Sequence, residues 1–172
     1  MLQIRKSVFE TNSSSTHAIC ISKKEVDREK IRGEKIHFEL HDFGWEFSTE
    51  ANVADYLYTG ICSAFKREMY EEYLGKLKEI LDKHGVEYEF EEPKWDEDGW
   101  LHWSCASIDH GGELFEPLKE ILNDEELVLS LLFNIESYVA TGNDNSEFGD
   151  DYEYLLGKHE KEVEETHKIF WK

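Results

Sequence analysis

The chain has 172 residues, 39 of them acidic and 19 basic, for a formal charge of −20, with 40% hydrophobic and 13% aromatic residues. This length suits one domain, and the apolar content separates the chain from acidic sequences that stay disordered for want of a core. So much negative charge repels phosphate backbones, which disfavours direct binding of DNA or RNA; it suits a basic protein as partner, and it equally serves solubility alone.

The charge is uneven: residues 1–36 hold eight bases and five acids (+3), leaving eleven bases and 34 acids (−23) on residues 37–172. Cys20, Cys62 and Cys105 are odd in number and widely spaced. They read as reduced thiols of a cytoplasmic protein rather than a disulfide framework. The opening Met-Leu-Gln-Ile-Arg-Lys has no apolar signal core, and the longest apolar stretch, 127–135, is interrupted by Ser130 and Asn134. Secretion and membrane insertion are not expected.

Residues 2–9 suit a short strand, joined through the serine-rich turn 11–16 to a second β-prone run, Ala18 to Ile21, as a hairpin. A charged connection with a short helix follows over 22–35. Ile36, Phe38 and Leu40 then alternate with His37, Glu39 and His41, which is strand periodicity. From 49 to 84 the pattern is helical: Val53, Leu57, Ile61, Phe65 and Met69 recur every four residues, and Leu74, Leu77 and Leu81 continue the stripe. Ser48 or Thr49 caps the start, Thr59-Gly60 bends or splits the helix, and Lys83-His84-Gly85 stops it.

Val86, Tyr88 and Phe90 predict a strand whose hairpin partner is 100–108. A helix over 112–122 and another opened by the Asn123-Asp-Glu-Glu126 box come next. A strand over 137–141 ends in the turn 142–145, and an amphipathic helix over 152–170 closes the chain. Strands and helices are more segregated than alternating, so the expected architecture is α+β, an antiparallel sheet with helices packed on it, as one globular domain over residues 1–172.

Signatures of phosphate-binding loops, dinucleotide folds, zinc proteases and serine hydrolases are missing. No catalytic residue, metal or cofactor is therefore assigned, and the lean is away from an enzyme. The densest group of reactive side chains is Glu10-Thr-Asn12-Ser13-Ser14-Ser15-Thr-His17. With Arg5 nearby it could hold a small anion, and His17 could serve as base to a serine. A polar hairpin turn explains the same residues. Asn143 and Asp144, in the turn 141–145, could face the same ligand if the two patches meet.

The run Arg5-Lys-Ser-Val-Phe-Glu10-Thr-Asn12-Ser13-Ser14-Ser15-Thr-His17 resembles the N-terminal signature of a group of uncharacterised phage and prophage-type proteins of Gram-positive bacteria. The resemblance brings no settled activity. It implies a setting in which small acidic proteins bind and disable host defence enzymes in the host cytoplasm.

A shared metal site is not expected from the histidines. His37 and His41 would lie about 13 Å apart along a strand, and His102 and Cys105 on opposite faces of one. His159 and His167 would rim the core on the last helix. The loop Glu91-Glu92-Pro-Lys-Trp95-Asp96-Glu97-Asp98-Gly sets carboxylates around a tryptophan, as a nucleic-acid mimic would for a basic cleft. It also suits a solvated hairpin tip.

The reading that follows is a non-enzymatic acidic binding protein of phage type, an inhibitor of a basic host nucleic-acid-binding or defence protein. The alternatives are a nucleotide or phosphate site on the Glu10–His17 loop and a phage structural or assembly component. Nothing in the sequence fixes an oligomeric state.

Overall fold

A computed structural model describes residues 15–45, 48–143 and 166–171. The expected strand over 2–9 lies outside them. Strand β1 (Ser15–Ser22) is buried from His17 to Ser22 and needs backbone partners on both edges. On one side it pairs antiparallel with a strand at Tyr138–Asn143, with Ala18 opposite Ala140, and on the other with Thr166–Trp171, with Ile19 opposite Ile169. A further strand, Ser48–Ala51, pairs with the outer edge of Tyr138–Asn143 and completes a four-stranded antiparallel sheet.

That arrangement corrects the expected C-terminal helix, because residues 166–171 are extended. Ile169-Phe170-Trp171 suits a strand, and its backbone groups close the second edge of β1. Residues 152–165 lie outside the described residues.

Helix α1 (Arg28–Ile31) is capped by Asp27 and leads into β2 (Lys35–Phe38). The segment expected as one helix over 49–84 is three elements: strand β3 (Ser48–Ala51), helix α2 (Val53–Ala64) and helix α3 (Arg67–Lys83). The cap of α2 is Asn52, whose side chain accepts from the Ala54 and Asp55 N–H groups; Ser48 and Thr49 are strand residues. The helices part at Phe65-Lys66, both extended, and not at Thr59-Gly60. The apolar spacing of four runs through the break because Phe65 still packs inward, stacked on Tyr73 with centroids 4.2 Å apart. Gly60 has a packing role: a Cβ there would lie 3.1 Å from the Leu118 side chain.

Helix α3 stops as expected at Lys83-His84, followed by Gly85 at φ +68°. Strand β4 (Glu87–Phe90) then pairs with β2, in parallel, with Phe38 opposite Phe90 and the two rings stacked at 4.5 Å. The expected hairpin between 86–90 and 100–108 is therefore wrong. Parallel strands need a long crossover, and α2 and α3 supply it; residues 100–108 make only single bridges, Leu101 to Trp95 and Ile108 to Phe43.

A 3₁₀ turn (Gly111–Leu114) and α4 (Phe115–Leu122) follow. Helix α5 (Glu125–Phe133) has Asp124 as its cap, accepting from the Glu126 and Leu127 N–H groups, and β5 (Tyr138–Asn143) and β6 (Thr166–Trp171) end the described chain. The fold is α+β, as expected.

Helix α2 is the centre of the packing. It is buried continuously from Asp55 to Cys62 and meets α3, α4, α5, β2 and β5. A helix enclosed on all sides leaves little room for polar groups, so those it carries are informative. Helix α5 is tied to β1 by buried hydroxyls: Ser130 Oγ donates to the Ser22 carbonyl at 2.5 Å, Ser137 Oγ donates to the Ser130 carbonyl at 2.7 Å, and the Ser22 N–H donates to Ser137 Oγ at 3.0 Å. Among the described residues, no helix is long and apolar enough to cross a membrane.

Candidate functional site

Of the ligand residues expected from the sequence, Arg5, Glu10, Asn12, Ser13, Ser14 and Asp144 lie outside the described residues. The backbone register places Ser15 opposite Asn143 and His17 opposite Thr141. The described ends of the two polar patches are thus neighbours on adjacent strands. His17 itself is a core residue, fully buried, with its ring 5.9 Å from that of Tyr56.

His17 Nε2 lies 2.9 Å from the Asp109 carbonyl oxygen, which can only accept, so Nε2 carries the proton. Burial pulls the imidazole down from 6.5 to about 4, against the smaller opposing effect of that hydrogen bond, and keeps it neutral. Gly44 closes over the ring at φ +91°, where a Cβ would stand 2.8 Å from His17 Cε1. His17 therefore clamps β1 to the loops passing above it.

Those loops leave the carboxyl ends of β2 and β4. Because the strands are parallel, residues 39–45 and 91–110 emerge side by side, at the end of a parallel pair where ligand sites tend to form. They are stitched together: Phe43 N–H donates to the Ser107 carbonyl (2.9 Å), Asp109 N–H to the Phe43 carbonyl (3.0 Å), and Leu40 N–H to Glu91 Oε2 (2.8 Å).

In the acidic loop, Trp95 is half-buried and packs edge-on against Tyr70 of α3 at 4.9 Å, so of the two readings of this loop the ring follows the one in which it folds back rather than standing out as an anchor. Asp96 folds the tip, accepting from the Asp98 and Trp100 N–H groups, and Glu91 holds Leu40. Glu92, Glu97 and Asp98 remain exposed, with no cation at ion-pair distance among the described residues.

The aromatic anchors lie elsewhere on the same two loops. Trp103 is 81% exposed and stacks on His102, Trp100 is 40% exposed with Lys66 Nζ 5.1 Å from its ring centre, and Trp45 is half-exposed with Nε1 donating to Ser107 Oγ. The only signal for them in the sequence was the count of tryptophans near an acidic tip. The exposure of Trp100 and Trp103 goes with the turns at 97–99 and 103–105, which alternation does not reveal.

A second feature of this end was not foreseen. Glu39 and His41 leave β2 and face Asp55 in the first turn of α2. His41 Nε2 is 3.4 Å from Glu39 Oε2 and 3.6 Å from Asp55 Oδ2. Asp55 is only 4% exposed, its Oδ1 accepts from the Glu39 N–H at 2.8 Å, and burial raises its pKa. The His41 N–H donates to Thr59 Oγ1 on the next turn of α2. The backbone of 39–41 is thus pinned by three side chains, Asp55, Glu91 and Thr59. Glu39 and His41 alternate visibly in the sequence; Asp55 joins them only through the reversal across β3.

Two further histidines among the described residues have local partners. His37 pairs with Glu89 at 3.0 Å, and His102 Nδ1 meets Ser104 Oγ at 2.8 Å, while Cys105 Sγ accepts from the Lys94 N–H. No protein-family model matches the chain, and neither a curated protein nor a solved structure shows significant similarity to it.

Proposed function

We propose that the chain is a non-enzymatic acidic binding protein that docks a basic, nucleic-acid-binding protein on the face formed by residues 39–45 and 91–110. One observation carries this reading. Trp45, Trp100 and Trp103, the tryptophans exposed among the described residues, all stand on these two hydrogen-bonded loops, together with the carboxylates of Glu92, Glu97 and Asp98, which have no ion-pair partner among the described residues. Exposed tryptophan on a pinned loop is the residue type that contributes most at interfaces, and surrounding negative charge selects a basic partner and speeds its approach. The phage-type signature at residues 5–17 fits a host nuclease or other defence protein as that partner.

The test is a comparative capture from lysate of a Gram-positive bacterium on the immobilised full chain, its Trp103→Ala variant and its Glu97→Gln/Asp98→Asn variant. A basic protein held by the unmodified chain, displaced by added DNA and lost by both variants, supports the reading. Equal capture by all three chains, or capture indifferent to DNA, contradicts it.

The register that sets Ser15 opposite Asn143 favours a second reading, a small phosphate ligand held between the two polar patches. Thermal shift with inorganic phosphate and with nucleoside triphosphates tests it, and no shift in either series removes it.

A further inference from the structure

The contacts of His41 with Glu39 and Asp55 do not have the geometry of ion pairs closed on a proton. A charge-assisted N–H···O bond settles at about 2.7–2.9 Å, whereas these separations are 3.4 and 3.6 Å. Three ligand atoms bound to one ion at about 2.1 Å sit about 3.0–3.5 Å apart, depending on coordination geometry. Nε2 of His41 and one oxygen each of Glu39 and Asp55 all lie within 4.8 Å of one another, the one such group among the described residues.

A second, independent observation is the electrostatic imbalance. Asp55 is more than nine-tenths buried; among the described residues one hydrogen bond reaches its carboxylate, from the Glu39 N–H to Oδ1, while Oδ2 has His41 Nε2 at 3.6 Å. Glu91 adds a third carboxylate against the same turn. Among the described residues, no lysine or arginine pairs with Glu39, Asp55 or Glu91. A buried carboxylate is ordinarily compensated by a partner charge or a metal. Here the compensation in the protein is one half-exposed imidazole.

We infer that Glu39, His41 and Asp55 form a binding site for one divalent transition-metal ion of the Zn²⁺ or Mn²⁺ class. An imidazole with two carboxylates suits such an ion better than an all-oxygen Mg²⁺ or Ca²⁺ shell. The exposed side of His41 leaves an entry path and room for water to complete the coordination. The pinned backbone of 39–41 and the buried Asp55 hold the donors in place, as supporting contacts do around metal ligands. The site shares the loop 39–45 with the tryptophan face, but its ligand atoms are its own and it does not rest on the docking of a partner.

The test is isothermal titration of ZnCl₂ and, separately, MnCl₂ into the full chain. Saturable uptake of one ion per chain is expected, weakened at least about tenfold by His41→Ala and by Asp55→Asn and unchanged by His37→Ala. Asn retains the oxygen that accepts from the Glu39 N–H, and His41 is exposed, so both variants fold; a matching far-UV spectrum checks this. The visible spectrum of added Co²⁺ gives a second readout and loses its ligand-field bands in His41→Ala. No saturable uptake, uptake identical in the His41 and Asp55 variants, or an equal loss in His37→Ala overturns the inference.

Discussion

Acidification from pH 7 to pH 5 should weaken the fold through His17. In the unfolded chain this imidazole titrates near 6.5, and in the folded protein near 4, because charging it inside the core removes it from water. Between those values the unfolded state binds the extra proton, so the stabilisation is full above about pH 6.5 and is lost as pH falls toward 4. The difference of two and a half units corresponds to about 3 kcal/mol in total, of which about 2 kcal/mol is lost between pH 7 and pH 5.

The net charge works in the opposite direction. A chain at −20 repels itself at pH 7 and relaxes as it approaches its pI near 4.7. The measurement must therefore be a difference, made by urea unfolding at pH 7, 6 and 5 for the unmodified chain and for His17→Gln. Glutamine keeps an N–H for the Asp109 carbonyl but does not titrate. The variant should be less stable at pH 7, yet the gap should narrow by about 2 kcal/mol at pH 5. Parallel pH profiles for the two chains would refute the assignment of His17 as a buried neutral clamp.

Gly44→Ala should cost about 1–3 kcal/mol, since it combines φ +91° with a Cβ 2.8 Å from the His17 ring; chemical denaturation checks it, and a cost within error would mean that the loop over His17 yields freely. Ser130→Ala should cost about 1–2 kcal/mol by removing the buried donor to the Ser22 carbonyl, seen as a lower urea midpoint with an unchanged slope. Trp103→Ala should leave the thermal midpoint within about 1 °C of the parent, since the ring is mostly in water and surface changes of this kind are near neutral.

The α+β class, the stop at Lys83-His84-Gly85 and the cap region at 123–126 were legible because each depends on local chemistry; the strand expected over 137–141 is present, but Gly142 and Asn143, expected in a turn, continue it opposite Thr16 and Ser15. Errors arose where a local pattern was shared by two structures. Apolar residues spaced by four run through Phe65 whether the chain is helical there or turns outward and stacks Phe65 on Tyr73. Strand alternation at 86–90 announces a strand without naming its partner, and 100–108 is the nearest β-prone run in sequence. The partner is β2, about fifty residues earlier, beyond the two-helix crossover.

The candidate sites show the same division. Glu39 and His41 alternate plainly, but Asp55 approaches them only after the chain reverses through β3. Trp95 looked central to the acidic loop because it is central in sequence. Tertiary packing draws it onto Tyr70 and leaves Trp100 and Trp103 outward instead.

The central claim is that a tryptophan-bearing acidic face docks a basic protein, and it is most directly tested by titrating salt against the affinity of the captured partner. Screening shortens the reach of exposed charges from about 10 Å at 0.1 M salt to about 3 Å at 1 M. The account predicts that the dissociation constant rises at least about tenfold between 50 and 500 mM NaCl, and that Trp103→Ala weakens binding at every salt concentration. Affinity indifferent to salt and unaffected by the loss of Trp103 would contradict it.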